Sequence, residues 1–176
     1  MEEYVSQIHH VKGFMSKEDA ETIYNHAVKF NDSFNGHGNN EKEFMVYTYH
    51  EIEANEKSVL DILQASAMKV YEHVLKTYSG PFQEFNPHKT HIARFDTGQG
   101  MHEHFDSSRP NDIATLVYLN DNYGGGEIYF PDYDISIKPE PGDLLCFPDQ
   151  PRFVHGVKPI SDGTRYTTPR WFTRIV

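Results

Sequence analysis

Cysteine is nearly absent from the chain: Cys146 stands alone among 176 residues, so no internal disulfide can staple the fold. It lies in the apolar run Leu144-Leu145-Cys146-Phe147, where a small core residue is expected rather than a reactive thiol. No apolar stretch approaches the roughly 20 residues that a membrane-spanning helix needs. The start, Met1-Glu2-Glu3-Tyr4, lacks the basic and apolar regions of a secretory leader. Positive charge is also scarce, with 16 Lys and Arg against 26 Asp and Glu and a net charge of −10. Such a chain repels polyphosphate at long range, which argues against nucleic acid or an anionic membrane as partner. These absences predict a soluble protein of a reducing, cytoplasmic compartment. Linkers, repeats and low-complexity segments are missing too, so one domain over residues 1–176 is expected.

What the sequence does contain is an aromatic-rich folded composition, with 11 Tyr and 12 Phe, and a high count of 11 histidines. The first part, residues 1–87, reads mainly as helical support. Ser16 followed by Asp19 is a helix N-cap pattern, and Ala20, Ile23, Tyr24, Ala27 and Phe30 form one helical stripe. A second helix is predicted from about Ser58 to Tyr78, where Val59, Ile62, Leu63, Ser66, Val70 and Val74 follow the 3.6-residue period. Between them Phe44 to Tyr49 is rich in strand formers. From residue 88 onward the pattern changes to short runs separated by Gly, Pro, Asn and Asp. These runs are Thr90–Phe95, Ile113–Leu119, Glu127–Phe130, Asp134–Lys138, Leu144–Phe147, Phe153–Val157 and Tyr166–Ile175. Many short strands at such spacing predict a mainly β sandwich or small barrel with the N-terminal helices packed on one sheet, an α+β arrangement overall.

Chemistry concentrates in three places. In Met101-His102-Glu103-His104-Phe105-Asp106, residues two apart on an extended chain share a face, so His104 and Asp106 point together while Glu103 and Phe105 point away. His102 would share the face of His104 only on a regular strand, and solvation is its simpler role. Phe153-Val154-His155-Gly156-Val157 sets a second histidine in an apolar segment. Two histidines and one carboxylate make the facial triad of non-haem iron(II) sites, which leaves the opposite octahedral face open. Taken singly, either histidine is as readily a solvated or hydrogen-bonded loop residue. The third place is Arg165, with Thr167 on the same strand face. A planar guanidinium matches a carboxylate, and Tyr118 could offer a phenol to the same anion; alone, Arg165 reads as a surface residue after the turn Ser161-Asp162-Gly163.

Several segments together resemble the prolyl 4-hydroxylase type of 2-oxoglutarate oxygenase. They are Arg94-Phe95 through Gly98-Gln99-Gly100, His104-Phe105-Asp106, Ala114 to Asp121, Gly125 to Pro131, Pro139 to Pro148, His155 to Ile160, Arg165 and Trp171-Phe172. The resemblance covers about residues 90 to 174, in order. It implies a double-stranded β-helix (jelly-roll, cupin-like) over residues 88–176. It also implies His104, Asp106 and His155 as iron ligands and catalytic centre, with Arg165, Tyr118 and Thr167 on the far carboxylate of 2-oxoglutarate. Fe(II) with 2-oxoglutarate and O2 as co-substrates follows, with ascorbate as auxiliary reductant. The implied reaction hydroxylates a C–H bond and releases succinate and CO2. The intact Asp106 argues against halogenation, which leaves the carboxylate position to a halide.

Two departures bear on the substrate. Phe95 stands where relatives often carry Tyr, and Asn111-Asp112 stand where collagen-type members carry an arginine, with Arg109 only nearby. Those members also use lysine at the Arg165 position. A peptidyl residue such as proline is the leading expected substrate, a free amino acid or small metabolite the alternative. Gln99, Gly100, Met101 and the 107–111 loop are expected at the substrate rim. The rival from another class is a cupin-like metal-binding protein without 2-oxoglutarate chemistry, for which His102-Glu103-His104 supplies a partial His-x-His start. A catalytically dead binding module would not be expected to keep all four of His104, Asp106, His155 and Arg165.

Overall fold

The computed structural model describes residues 2–36, 44–48, 51–52, 55–84, 91–106 and 112–175. A short helix α1 (Glu2–Val5) and strand β1 (His9–Val11) lead into helix α2 (Lys17–Lys29). As its sequence predicts, α2 starts at Ser16, whose hydroxyl accepts the Asp19 backbone N–H at 3.1 Å, a cap that stabilises by about 1 kcal/mol. Strands β2 (Asn35–Gly36) and β3 (Met45–Thr48) precede the long helix α3 (Lys57–Thr77), within a residue of its expected bounds. The Gly- and Asn-rich run 35–40 reads as a loop in the sequence, but Asn35–Gly36 pair as β2 with β3, and 37–40 lie outside the described residues.

The remainder is strands: β4 (Phe82–Glu84), β5 (His91–Asp96), β6 (Met101–His104), β7 (Asp112–Tyr118), β8 (Gly124–Gly125), β9 (Ile128–Phe130), β10 (Ile135–Ile137), β11 (Leu144–Asp149), β12 (His155–Val157), β13 (Ile160–Asp162) and β14 (Thr164–Arg174). Among the described residues they form a large antiparallel sheet, β1-β11-β7-β14-β5-β3-β2 with β4 beside β14, and a small one, β10-β9-β12-β6; β13 pairs with β8. Gly125 in β8 has φ 67°, and a Cβ there would run into the Pro159 carbonyl oxygen. The Gly125-Gly126 turn thus has a structural role.

Period-two alternation explains the layering. On β11, Leu144 and Cys146 face one core, Leu145 and Phe147 the other. On β7, Ile113 and Val117 join the first, Ala114 and Tyr118 the second. The first core lies between the large sheet and the helices, where Ala20, Ile23, Val59, Leu63, Val70 and Val74 pack. Each of these Ile, Val and Leu side chains stabilises by about 1.5–3 kcal/mol on full burial. The second core lies between the two sheets, with Ile128 and Phe130 from β9. Cys146 sits in the helix-side core, fully buried, and burial pushes its thiol up to about 12; an unreactive core role is what its setting predicts.

The N-terminal part contributes more sheet than its sequence shows. β1 pairs with β11, and β3 extends the large sheet past β5. Asp143 anchors this arrangement: its carboxylate accepts from His10 Nε2 at 2.7 Å, Gly13 N at 2.9 Å and Glu140 N at 3.0 Å. Three expected strands begin later than predicted, the one from Glu127 by a single residue, at Ile128. Pro151–Phe153 forms a 3-10 turn, so the strand before Val157 starts at His155. Asp134 is left-handed at φ 54°, so its strand starts at Ile135.

Candidate active site

Strand pairing builds the histidine pair. β6 and β12 run antiparallel with His104 directly opposite His155, which brings their rings to 4.5 Å between centroids. Asp106 follows β6 two residues on, and its Oδ1 lies 3.3 Å from His104 Nε2. One ligand atom from each of His104, Asp106 and His155 falls within 4.8 Å of the others. The three face the space between the sheets, as the i, i+2 spacing and the apolar context of His155 led us to expect. Among the described residues this is the group able to hold a metal; exposed His102 is not part of it.

Both imidazoles are oriented from behind. His104 Nδ1 donates to the His102 carbonyl at 2.7 Å, and His155 Nδ1 to the Phe153 carbonyl at 3.0 Å. A carbonyl can only accept, so each Nδ1 carries a proton and each Nε2 lone pair is free to bind a metal when the ring is neutral. The electrostatics favour that arrangement unequally. Burial, together with the neighbouring His104, drops His155 to about 4. Burial works against the charged form of His104 as well, but the Asp106 carboxylate and the His102 carbonyl outweigh it and lift its pKa above the ordinary value. Burial likewise opposes ionisation of Asp106, and hydrogen bonds from His104 and Trp171 override it, holding the carboxyl below its usual range. A carboxylate and neutral His155 are the forms a cation needs.

The cavity beside these groups is about 530 Å³ including its open mouth. Arg165 and Thr167, on one face of β14, line it together with Phe95, Met101 and Trp171. Arg165 is 0% exposed. Its Nη2 donates to the Tyr118 hydroxyl at 3.1 Å, and its guanidinium sits between two rings, 4.8 Å from Phe95 and 5.0 Å from Tyr118. Its Nε and Nη1, and the Thr167 hydroxyl, are buried with no hydrogen-bond partner among the described residues. A buried guanidinium left this way is costly, and an anion entering the cavity would remove the cost.

The sequence reading missed part of this surround. Tyr123 packs with Phe95 in the same cluster; burial raises its phenol to about 12 against the opposing pull of Arg165. Tyr118 accepts from Arg165 and is not among the residues that line the cavity. Of the expected rim, Met101 lines the cavity, whereas Gln99 turns inward to accept the Asp96 backbone N–H at 2.7 Å. Residues 107–111, Arg109 and Asn111 among them, lie outside the described residues. Asp112 is buried and accepts from Thr173 Oγ1 at 2.6 Å, a structural role.

Residues 90–173 match the 2OG-Fe(II) oxygenase superfamily. Residues 90–173, which contain His104, Asp106, His155 and Arg165, thus resemble a 2OG-Fe(II) oxygenase domain. A protein of Acanthamoeba polyphaga mimivirus named as a prolyl 4-hydroxylase is 24% identical over 125 residues, 58% of this chain and 51% of that protein. Mouse prolyl 3-hydroxylase 2 is 37% identical over 67 residues, 35% of this chain and 10% of that protein. The chain thus spans about half the length of the first relative and a tenth of the second. Among solved structures, the viral collagen prolyl hydroxylase of Paramecium Bursaria Chlorella virus-1, in its 2OG complex, superposes with a TM-score of 0.69 at 20% identity, covering 97% of each chain. A Trichoplax adhaerens prolyl hydroxylase, in complex with a hypoxia inducible factor peptide fragment, gives 0.77 at 17% identity, covering 96% of this chain and 84% of that one. At these identities the likeness is one of fold, and that fold is the expected double-stranded β-helix. No helix among the described residues of this chain is long and apolar enough to cross a membrane.

Proposed function

We propose that His104, Asp106 and His155 hold iron(II) and that Arg165, helped by Thr167, binds the far carboxylate of 2-oxoglutarate. The observation that carries this reading is the pairing, in one cavity, of a three-donor cluster with a fully buried guanidinium whose Nε and Nη1 lack hydrogen-bond partners among the described residues. Two nitrogen donors and one carboxylate on one side suit iron(II) with open positions opposite. A cupin-like metal protein without 2-oxoglutarate gives Arg165 no task and would have to bear its desolvation unrewarded.

When bound, the metal and co-substrate supply the oxidation: O2 and 2-oxoglutarate are consumed, succinate and CO2 leave, and a substrate C–H becomes C–OH. Ascorbate serves as an auxiliary reductant for the metal. The protein's own part is placement. Tyr118 and the Phe95 ring hold the guanidinium where it can fork onto a carboxylate. Phe95, Ala93, Ile128 and Val157 wall the cavity and exclude water from it. Phe95 brings no hydroxyl, so Arg165 and Thr167 are the polar groups offered to the co-substrate from this wall.

The substrate we propose is a peptidyl residue, proline foremost. The cavity lining includes Met101, Leu116, Pro169 and Trp171, apolar side chains that suit a pyrrolidine ring. Among the described lining residues the charged side chains belong to the metal cluster or are Arg165, which leaves none to hold the ammonium and carboxylate of a free amino acid. The relatives' names point the same way. Incubation with iron(II), 2-oxoglutarate, O2 and ascorbate tests this, using a library of proline-containing peptides and, separately, free proline. We expect a peptide to gain 16 mass units with one succinate released per hydroxylation. Hydroxylation of free proline with none of any peptide would contradict the substrate class.

A further inference from the structure

Asp106 is held by two contacts that the proposed chemistry does not call upon. Trp171 Nε1 donates to its Oδ2 at 2.7 Å, and Asp149 Oδ1 accepts its backbone N–H at 2.8 Å. Both partners belong to the large sheet, on β14 and β11, whereas Asp106 follows β6 of the small sheet. Asp149 is 0% exposed, and a carboxylate so deeply buried is expensive unless its acceptors are used. An indole N–H is a donor only, so it marks Oδ2 as the oxygen turned away from a cation. Oδ1 is the one that faces His104 Nε2.

We infer that Trp171 and Asp149 are positioning residues that present Asp106 to the metal through Oδ1 alone. The inference rests on the proposed role of Asp106 as a ligand. A carboxylate with both oxygens free can chelate, and chelation would occupy a position that the co-substrate and O2 require. Trp171 prevents it by holding Oδ2, and Asp149 prevents it by fixing the backbone from which the side chain springs. The ligand side chain is then locked from the opposite sheet, so its geometry depends on the two sheets keeping their spacing.

Cobalt(II) is the probe, because the intensity of its visible bands reports coordination number without turnover. Affinity and spectrum are compared for the wild type, Trp171→Phe, Asp149→Ala and Asp149→Asn, with melting temperature recorded for each. We expect Trp171→Phe to bind Co(II) about 10–100-fold more weakly, the usual effect of losing an outer partner. Its spectrum should change while its melting temperature stays near wild type. Asp149→Asn keeps a carbonyl acceptor and should bind much better than Asp149→Ala. Wild-type affinity and spectrum in Trp171→Phe overturns the inference, as does equal loss in the Asn and Ala variants. A wild type that takes up no Co(II) instead overturns the metal reading itself, and this inference with it.

Discussion

His155→Ala is expected to abolish iron(II) uptake and hydroxylation together, and His104→Ala to do the same. Each removes one of three protein donors that lie within 4.8 Å of one another. The loss should exceed the ~10–100-fold typical of an outer-shell partner. His155 makes the sharper case. It is buried, neutral down to about pH 4, and turned by the Phe153 carbonyl so that Nε2 faces the cluster. A structural histidine at this depth would be expected to spend both nitrogens on the protein. Calorimetric metal titration with succinate release checks the expectation. Turnover retained in both variants would remove the metal assignment; metal binding retained in one would remove that residue from it.

The second large effect concerns Arg165, and Arg165→Met separates function from folding. Truncating one partner of a buried, hydrogen-bonded charge pair costs about 2–5 kcal/mol. The 2-oxoglutarate requirement should therefore rise on the order of 30-fold to several-thousand-fold. Iron(II) affinity without co-substrate should hardly change, since Arg165 is not among the three donors. Stability should hold or increase, because an apolar side chain of similar length replaces a buried charge with unpartnered nitrogens. Arg165→Lys keeps the charge but loses the planar fork, and should fall between wild type and Met. The checks are the 2-oxoglutarate concentration for half-maximal rate and the melting temperature. An unchanged requirement with a large drop in melting temperature would make Arg165 a structural residue.

The features legible in the sequence share a physical origin in local periodicity. α2 and α3 follow from apolar spacing, α2 also from a serine cap, and β7, β11 and β14 from runs of strand formers. His104 and Asp106 could be placed on one face because alternation acts over two residues. The opposition of His155 to His104 could not be derived from spacing, since it depends on β6 pairing with β12 across 51 positions of chain. For the same reason the two- and three-residue strands β1, β2, β4, β8 and β13 escaped notice: they carry no period of their own and exist through partners far along the chain. The contacts of Asp106 with Trp171 and Asp149 span 65 and 43 positions. Only the folded sheets bring those residues together. Tyr123 likewise reaches Phe95 through the fold, next to a glycine turn that gives no local hint of a site residue.

The Phe95 departure gains a physical reading as well. Its ring stacks on Phe44, 5.2 Å between centroids at 14°, and carries the Arg165 guanidinium on its face. A ring in this place orients the cation by its π surface instead of donating a hydrogen bond to the anion.

Anaerobic titration with iron(II) and 2-oxoglutarate, followed by visible absorption, addresses the central claim most directly. The account predicts a weak band that requires both components, that is lost in Asp106→Ala, and that needs much higher 2-oxoglutarate in Arg165→Met. Iron(II) bound in the wild type with no band on adding 2-oxoglutarate would contradict it and leave a metal site without the oxygenase co-substrate.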